Sequence, residues 1–274
     1  MNPSRRRGAL RTLFDLLGRY RRLTVDMAVR EVSERYSGQV FGTFWTVGHP
    51  IVLIATYVVV FRFVFRAAPL AGTDSPRDYT VYILSGLIPW LACIEAMHKA
   101  ATAVVGNASL VKQVVFPLEV LPAKGVLATA FTQLILVGLL VAYSTIVTRQ
   151  LLSTYVLLPL LIGLQLTAML GVSYIISSTA VFLRDVKDFI QIFGQIGVYF
   201  VPAFYSLQAV PEALQWLIYL NPFSHLIWCY QDVLYFGHIV HPWSWAVTIA
   251  SSLSVFWGGF KIFAFLKPMF GNVL

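Results

Sequence analysis

The chain has 274 residues, of which 58% are hydrophobic and only 12% charged, and it carries a net charge of +8. Soluble domains carry about 25% charged residues, so the water-facing surface of a soluble enzyme cannot be built here. Disorder is excluded too, because it needs low hydrophobicity and high charge. An integral membrane protein remains, and at about 20–25 residues per crossing the length fits roughly six crossings with no large extramembrane domain.

In chain order, nine arginines (Arg5, Arg6, Arg7, Arg11, Arg19, Arg21, Arg22, Arg30, Arg35) come before the first long apolar run. A pI near 9.6 would raise nucleic acid as a partner in a soluble protein. Basic residues gathered ahead of a membrane crossing instead hold that end in the cytoplasm, and no nucleic acid is expected. No short apolar stretch with a small-residue cleavage site follows directly, so the N-terminus is read as retained rather than as a signal peptide. Leu13, Leu16, Tyr20, Leu23 and Met27 recur at spacings of 3 and 4, as do Val25, Val29, Val32 and Tyr36. That periodicity with arginines between predicts a basic amphipathic helix along the inner membrane surface. It serves either as a topology anchor or as a collar that also meets a cytoplasmic partner.

The predicted crossings run over residues 44–65, 79–105, 121–147, 154–182, 189–207 and 243–265. The first has 22 residues, about 33 Å of helix, enough for a bilayer core of about 30 Å. Residues 1–43 form the cytoplasmic N-terminus, 44–265 the membrane domain and 266–274 a cytoplasmic tail. With both ends inside, 16 of the 20 basic residues fall on the cytoplasmic face and only Arg62, Arg66, Arg77 and Arg149 outside, the asymmetry expected of a multi-pass protein in a cytoplasmic (inner) membrane.

Between residues 208 and 242 there is no Lys or Arg, yet the stretch is too apolar for an ordinary loop. Pro211 and the Asn221-Pro222 pair read as helix starts and Gly237 as a stop. The two helices so defined, of about 10 and 15 residues, are too short to cross. They are predicted to form a re-entrant pair at about residues 210–237, dipping in from the outer face where protein or a water-filled cavity surrounds them.

Ser109, Leu110, Val111, Lys112, Gln113, Val114, Val115, Phe116 and Pro117 make a short amphipathic piece between the second and third crossings, capped by Asn107 or Ser109. Such an apolar knob either seats in a groove of another protein or packs back on its own bundle. Phe189, Phe193, Phe200 and Phe204, spaced 4, 7 and 4 apart, are predicted to share one face of the fifth crossing near Tyr199 and Tyr205. Tyr57 and Phe61 stack similarly in the first. Such a stripe is either helix packing or a lining for a ligand. Gly194 and Gly197 offer a surface for close helix approach. Glu95 and Lys99, at i and i+4, read as a neutralising pair with His98 beside it rather than as a proton relay. Cys93 and Cys229 have neither disulfide nor metal spacing. No phosphate-binding glycine loop, HExxH, GxSxG or Rossmann pattern is present, so no metal site, bound cofactor or ATPase activity of its own is expected.

Several of these motifs, in order and spacing, resemble the membrane subunits of ABC exporters for lipid-linked polysaccharides such as O-antigen, capsule and teichoic acid. They are Arg35-Tyr36-Ser37-Gly38 followed by Gly42, Trp45 and Pro50; Val111-Lys112-Gln113-Val114-Val115-Phe116-Pro117-Leu118-Glu119-Val120-Leu121-Pro122; Pro202 to Tyr205; Val210-Pro211; and Tyr219-Leu220-Asn221-Pro222-Phe223. The resemblance implies a homodimer over two copies of a cytoplasmic ABC ATPase, which binds the ATP and Mg, with residues about 107–117 as the coupling helix. It implies an N-terminal interface helix, and an outer gate that includes Pro211, Trp216, Tyr219, Asn221, Pro222 and Trp228. Trp45, Tyr57, Phe61, Phe193, Tyr199, Phe200, Phe204 and Tyr205 would line a channel between protomers. Arg30 and Arg35 would attract the diphosphate of a polyprenyl-linked glycan arriving from the membrane lipid. Relatives often have Tyr-Arg-Asp where this chain has Tyr230-Gln231-Asp232, so no ionic role is carried over to Gln231. A lipid or drug cargo, an ion-coupled carrier, and a membrane-embedded glycan enzyme using Glu95, His98 or Asp232 are the alternatives. Any glycan-binding module would lie in another chain.

Overall fold

The computed structural model describes residues 18, 20–35, 38–64, 79–112 and 116–274. Regular structure among them is helical throughout. Helix α1 (Arg21–Glu34) is followed by α2 (Trp45–Val58), which runs on as a π-helical segment, Val59–Val64. Next come α3 (Tyr79–Ala103), the single turn α4 (Ala108–Val111), α5 (Val120–Thr148) and α6 (Leu158–Ala180). The second half holds α7 (Val186–Gly197), α8 (Glu212–Leu220), α9 (Pro222–Gln231), α10 (Pro242–Leu266) and α11 (Phe270–Val273). A second π-helical segment, Asp232–Phe236, extends α9.

Five helical stretches are long and apolar enough to cross a membrane: Trp45–Val64, Tyr79–Ala103, Val120–Thr148, Ser153–Ala180 and Pro242–Val273. They match the predicted crossings one, two, three, four and six. The remaining one, expected over residues 189–207, is broken. Helix α7 has 12 residues, about 18 Å, and after a 3-10 turn the backbone becomes extended at Val201 (φ −126, ψ 148). The cause is Pro202, whose ring clashes with the preceding residue in a helical conformation and pushes it into the β region. Phe204 therefore lies past the break and does not continue the face that carries Phe189 and Phe193.

Helix α3 is the hub. Its residues from Thr80 to Trp90 are all buried, and α5, α6, α7 and α9 pack around it. Close packing rests on glycines. A Cβ on Gly259 of α10 would stand 2.1 Å from the Gly171 carbonyl oxygen of α6, so these two helices meet backbone to backbone. Gly194 and Gly197 serve as the sequence implied: a Cβ on either would stand 2.7 Å from Ile94 or Trp90 of α3.

At mid-span, Gln133 Nε2 (α5) donates to Gln165 Oε1 (α6) at 2.7 Å and to the Tyr230 hydroxyl (α9) at 3.0 Å. The Tyr230 hydroxyl donates in turn to Gln165 Oε1, and Gln165 Nε2 reaches the Pro89 carbonyl of α3 at 3.1 Å. Buried polar groups away from water must find such partners, so this network fixes four helices in register. Cys93 and Cys229 are buried and free.

The predictions for Leu13, Leu16, Tyr36, Ser37, the arginines at 5, 6, 7, 11 and 19, the loop at 66–78 and Gln113, Val114 and Val115 fall outside the described residues.

Candidate functional site

Charged side chains gather where α1 meets α3 and α5. The Arg35 guanidinium lies 2.8 Å from Glu95 Oε1, and Lys99 lies 3.2 Å from the same oxygen. Glu31 holds Lys99 at 3.6 Å and Lys124 at 3.5 Å through its two oxygens. The expected Glu95–Lys99 pair is thus one edge of a five-member network that fastens α1 to the bundle. Arg35, which the resemblance made a diphosphate ligand, is engaged by Glu95, while Arg30 is exposed. At the same end Lys267, after α10, pairs with Glu119 at 2.8 Å.

The connection from α3 to α5 also lies here. Asn107 does not cap α4; its side-chain amide turns back to the Ala103 carbonyl at 2.9 Å. Ser109 and Lys112 are exposed. Leu110, Val111 and Phe116 are partly buried against the chain's own cluster around Leu121, Tyr174, Phe256 and Phe263. Of the two options the sequence left open, the apolar side chains lean on their own bundle, and a polar edge faces outward.

The aromatic residues expected to line a channel divide into three groups. Trp45 stands in the first turn of α2 with its ring edge-on to Phe41 at 6.0 Å, 12 residues before Tyr57, about 18 Å along the helix. Tyr57 and Phe61 are stacked, with centroids 6.0 Å apart and planes 3° apart. Tyr57, Phe193 and Phe204 converge on the buried cluster of Leu87, Trp90, Val201, Ala203 and Ile227. Phe193 completes a three-ring contact with Trp90 (5.7 Å) and Phe223 (6.1 Å). These three are packing residues on at least one face. Tyr199 and Phe200, by contrast, are 69% and 50% exposed at the end of α7, with the Tyr205 hydroxyl donating to the Tyr199 carbonyl at 2.8 Å.

The break after α7 is held in place by α3. The Tyr79 hydroxyl donates to the Phe204 carbonyl, the Tyr82 hydroxyl to the Tyr205 carbonyl at 3.0 Å, and Gln231 Nε2 to the Pro202 carbonyl at 2.7 Å. The expected helix pair follows. Pro211 precedes α8, and Asn221 caps α9 by accepting from the Phe223 amide at 3.0 Å while its own amide reaches the Phe200 carbonyl at 3.1 Å. Pro222 opens α9, and Gly237 ends the π segment at φ 75, a left-handed conformation that glycine adopts without strain. Trp216 is 58% exposed, whereas Trp228 is buried between Tyr219 (5.3 Å) and His241 (5.5 Å, planes 12° apart).

Asp232 is the residue of this end that the sequence undervalued. Only 1% exposed, its carboxylate accepts from the His241 amide at 3.1 Å and Trp245 Nε1 at 3.1 Å, and meets His241 Nδ1 at 2.8 Å. Both oxygens are committed to holding α10 against α9. Glu95 is likewise committed to Arg35 and Lys99. Neither carboxylate is placed for acid–base chemistry on a substrate. The signal that could have exposed the Asp232 role was its spacing to His241 and Trp245 across Gly237, a turn the sequence did mark.

The sequence profile of the ABC-2 type transporter family matches residues 24–235. The chain is 25% identical over 263 residues to the O-antigen export system permease protein RfbA of Klebsiella pneumoniae, covering 96% of either chain. It is 24% identical over 258 residues to the protein of the same name from Myxococcus xanthus, covering 93% of this chain and 96% of that one.

Proposed function

Because the chain belongs to the ABC-2 type transporter membrane family, we propose that it is the membrane subunit of an ATP-driven exporter of a lipid-linked polysaccharide. The observation that carries the cargo class is the near end-to-end alignment with two proteins named for O-antigen export. In this reading two copies of the chain work over two copies of a separate ABC ATPase, which supplies the ATP and Mg chemistry.

The end carrying α1, Lys99, Lys124 and Lys267 faces the cytoplasm. The chain passes from that end to the other between α6 and α10, and α7 with the extended segment after it makes this sixth, broken passage. Helices α8 and α9 form the re-entrant outer gate. Tyr57 on α2 and Phe61 in its π-helical extension, with exposed Tyr199 and Phe200 beyond α7, supply flat apolar faces against which sugar C–H surfaces slide. Arg30, exposed on α1, attracts the diphosphate at the inner leaflet. The exposed edge of the α3–α5 connection, Ser109 and Lys112, meets the ATPase, and its movement reaches the bundle through Leu110, Val111 and Phe116.

Two variants test the coupling. Phe116→Asp is expected to abolish export and co-purification of the ATPase. Since Phe116 also packs on its own core, Lys112→Glu, at an exposed position, is the cleaner variant and is expected to weaken ATPase association without altering thermal stability. Normal association and export by Lys112→Glu and Phe116→Asp together would remove the coupling assignment. Phe200→Ala combined with Tyr57→Ala is expected to lower export at unchanged ATPase association; undiminished glycan at the cell surface would sink the aromatic path.

A further inference from the structure

Between α1, the first turn of α2 and the first half of α5 lies a cleft of about 540 Å³, within the roughly 300–1,000 Å³ typical of small-molecule sites. Val25 and Val29 of α1, Leu127, Phe131 and Leu134 of α5, and Thr46 of α2 are among the residues that line it. Its lining is apolar apart from two hydroxyl residues, Ser33, which is exposed at the edge, and Thr46. Thr46 is only 6% exposed, and its hydroxyl is buried without a hydrogen-bond partner. An orphaned buried hydroxyl is costly; this one is covered while the cleft is empty, and a turn about the staggered χ1 is what would present it to a chain with a single acceptor near its head.

The dimensions identify the occupant. The cleft begins at α1, whose basic and apolar residues suit the interface, and reaches Leu134, 14 residues into α5, about 21 Å of helix from its start. Leu166, at the middle of the Ser153–Ala180 stretch, closes it. Leu134 and Leu166 both lie midway along their helical stretches, so the cleft ends near the middle of the membrane, one leaflet deep in a core of about 30 Å. A fatty acyl chain ends at that depth, whereas a polyprenyl tail continues far beyond it. Arg21, Arg22 and Arg30 are exposed on α1 beside the mouth, and basic residues at this level attract anionic headgroups.

We propose that the cleft under α1 binds one acyl chain of an anionic phospholipid, with the Thr46 hydroxyl donating to its ester carbonyl. The lipid then fills the wedge between the interface helix and the bundle. This rests on the placement of α1 at a membrane surface and not on the glycan cargo, so export and lipid retention fail independently.

Native mass spectrometry of the full chain released from detergent, titrated with phosphatidylglycerol, tests it. One retained lipid is expected for the unaltered chain. Thr46→Val, which keeps shape and removes the donor, is expected to lower retention roughly 3- to 10-fold, the loss of one hydrogen bond, and Thr46→Ser to restore it. Val29→Trp, at an exposed position on the cleft wall, is expected to abolish retention, whereas Ile249→Trp, exposed on α10 and outside the lining, leaves it intact. Equal retention by Thr46→Val and Val29→Trp overturns the proposal. So does equal retention of phosphatidylcholine, or displacement of the lipid by an equimolar polyprenyl phosphate.

Discussion

At the α1 end of the bundle, Glu31, Arg35, Glu95, Lys99 and Lys124 hold three helices by ion pairs between partly exposed side chains. At the α8 end, one buried carboxylate, that of Asp232, and neutral donors from Tyr79, Tyr82, Asn221 and Gln231 hold α9, α10 and the break after α7. The difference follows from water. Exposed ion pairs are weak, tolerant of geometry and screened by salt; buried hydrogen bonds are directional and expensive to leave unmade. An end built the first way shifts without large loss, as the proposed collar above an ATPase requires. One built the second way has a few discrete arrangements, as the proposed gate requires.

The comparison breaks most easily at Asp232. Asp232→Ala leaves the His241 amide, His241 Nδ1 and Trp245 Nε1 without their acceptor, and each buried polar group so orphaned costs about 1–3 kcal/mol. The expected result is a large drop in the unfolding midpoint of the detergent-solubilised protein, followed by tryptophan fluorescence, with little response to added salt. A drop no larger than that of an exposed substitution would mean that the two ends do not differ as described.

Much of this contrast was legible in the sequence, but not all. Periodicity and length located five crossings, and Pro211, Asn221, Pro222 and Gly237 located the short helices, because these signals are local. The Glu95–Lys99 pair was visible as an i, i+4 spacing. Its extension to Glu31, Arg35 and Lys124 was not, since those contacts join residues that only the tertiary fold brings near. The fifth crossing was expected as one continuous helix because hydropathy outweighed a local signal, Pro202, and the helix breaks there. Tyr57 and Phe193 were expected in a channel lining between protomers, yet within one chain both pack on the cluster that holds Trp90 of α3, a residue whose burial no spacing announces. Mean hydropathy ranks the Trp45–Val64 stretch above α3, 1.9 against 1.5, though 17% of the most apolar window of the first is buried and 78% of the second.

A smaller effect is expected at Glu31. Glu31→Gln keeps the shape but takes from Lys124 its carboxylate and from Lys99 the weaker of two, Glu95 remaining, and for these partly exposed side chains the cost is about 1 kcal/mol. The variant is expected to melt slightly earlier at low ionic strength and to converge with the unaltered chain as salt is raised, because the Debye length falls from about 10 Å at 0.1 M to about 3 Å at 1 M. A loss that persists in 1 M salt would show that the α1 end is held by packing instead.

The smallest effect decides whether the two ends are different in kind or only in degree. Arg35 and Glu95 form a 2.8 Å pair whose side chains are 46% and 27% exposed. A double-mutant cycle with Arg35→Gln and Glu95→Gln is expected to give a coupling of about 0.2–1 kcal/mol at low salt, vanishing at high salt. The matching cycle at the other end, Asp232→Asn with Trp245→Phe, removes a hydrogen bond to a buried carboxylate and is expected to give about 1.5–3 kcal/mol, unchanged by salt. Whether salt has an effect is more telling than either magnitude. Ions in solution reach a pair that water already wets, and they do not reach Asp232 unless the α8 end opens. If the Asp232–Trp245 coupling did weaken with salt in the resting protein, that end would be water-filled and its hydrogen bonds would not be what keeps it shut.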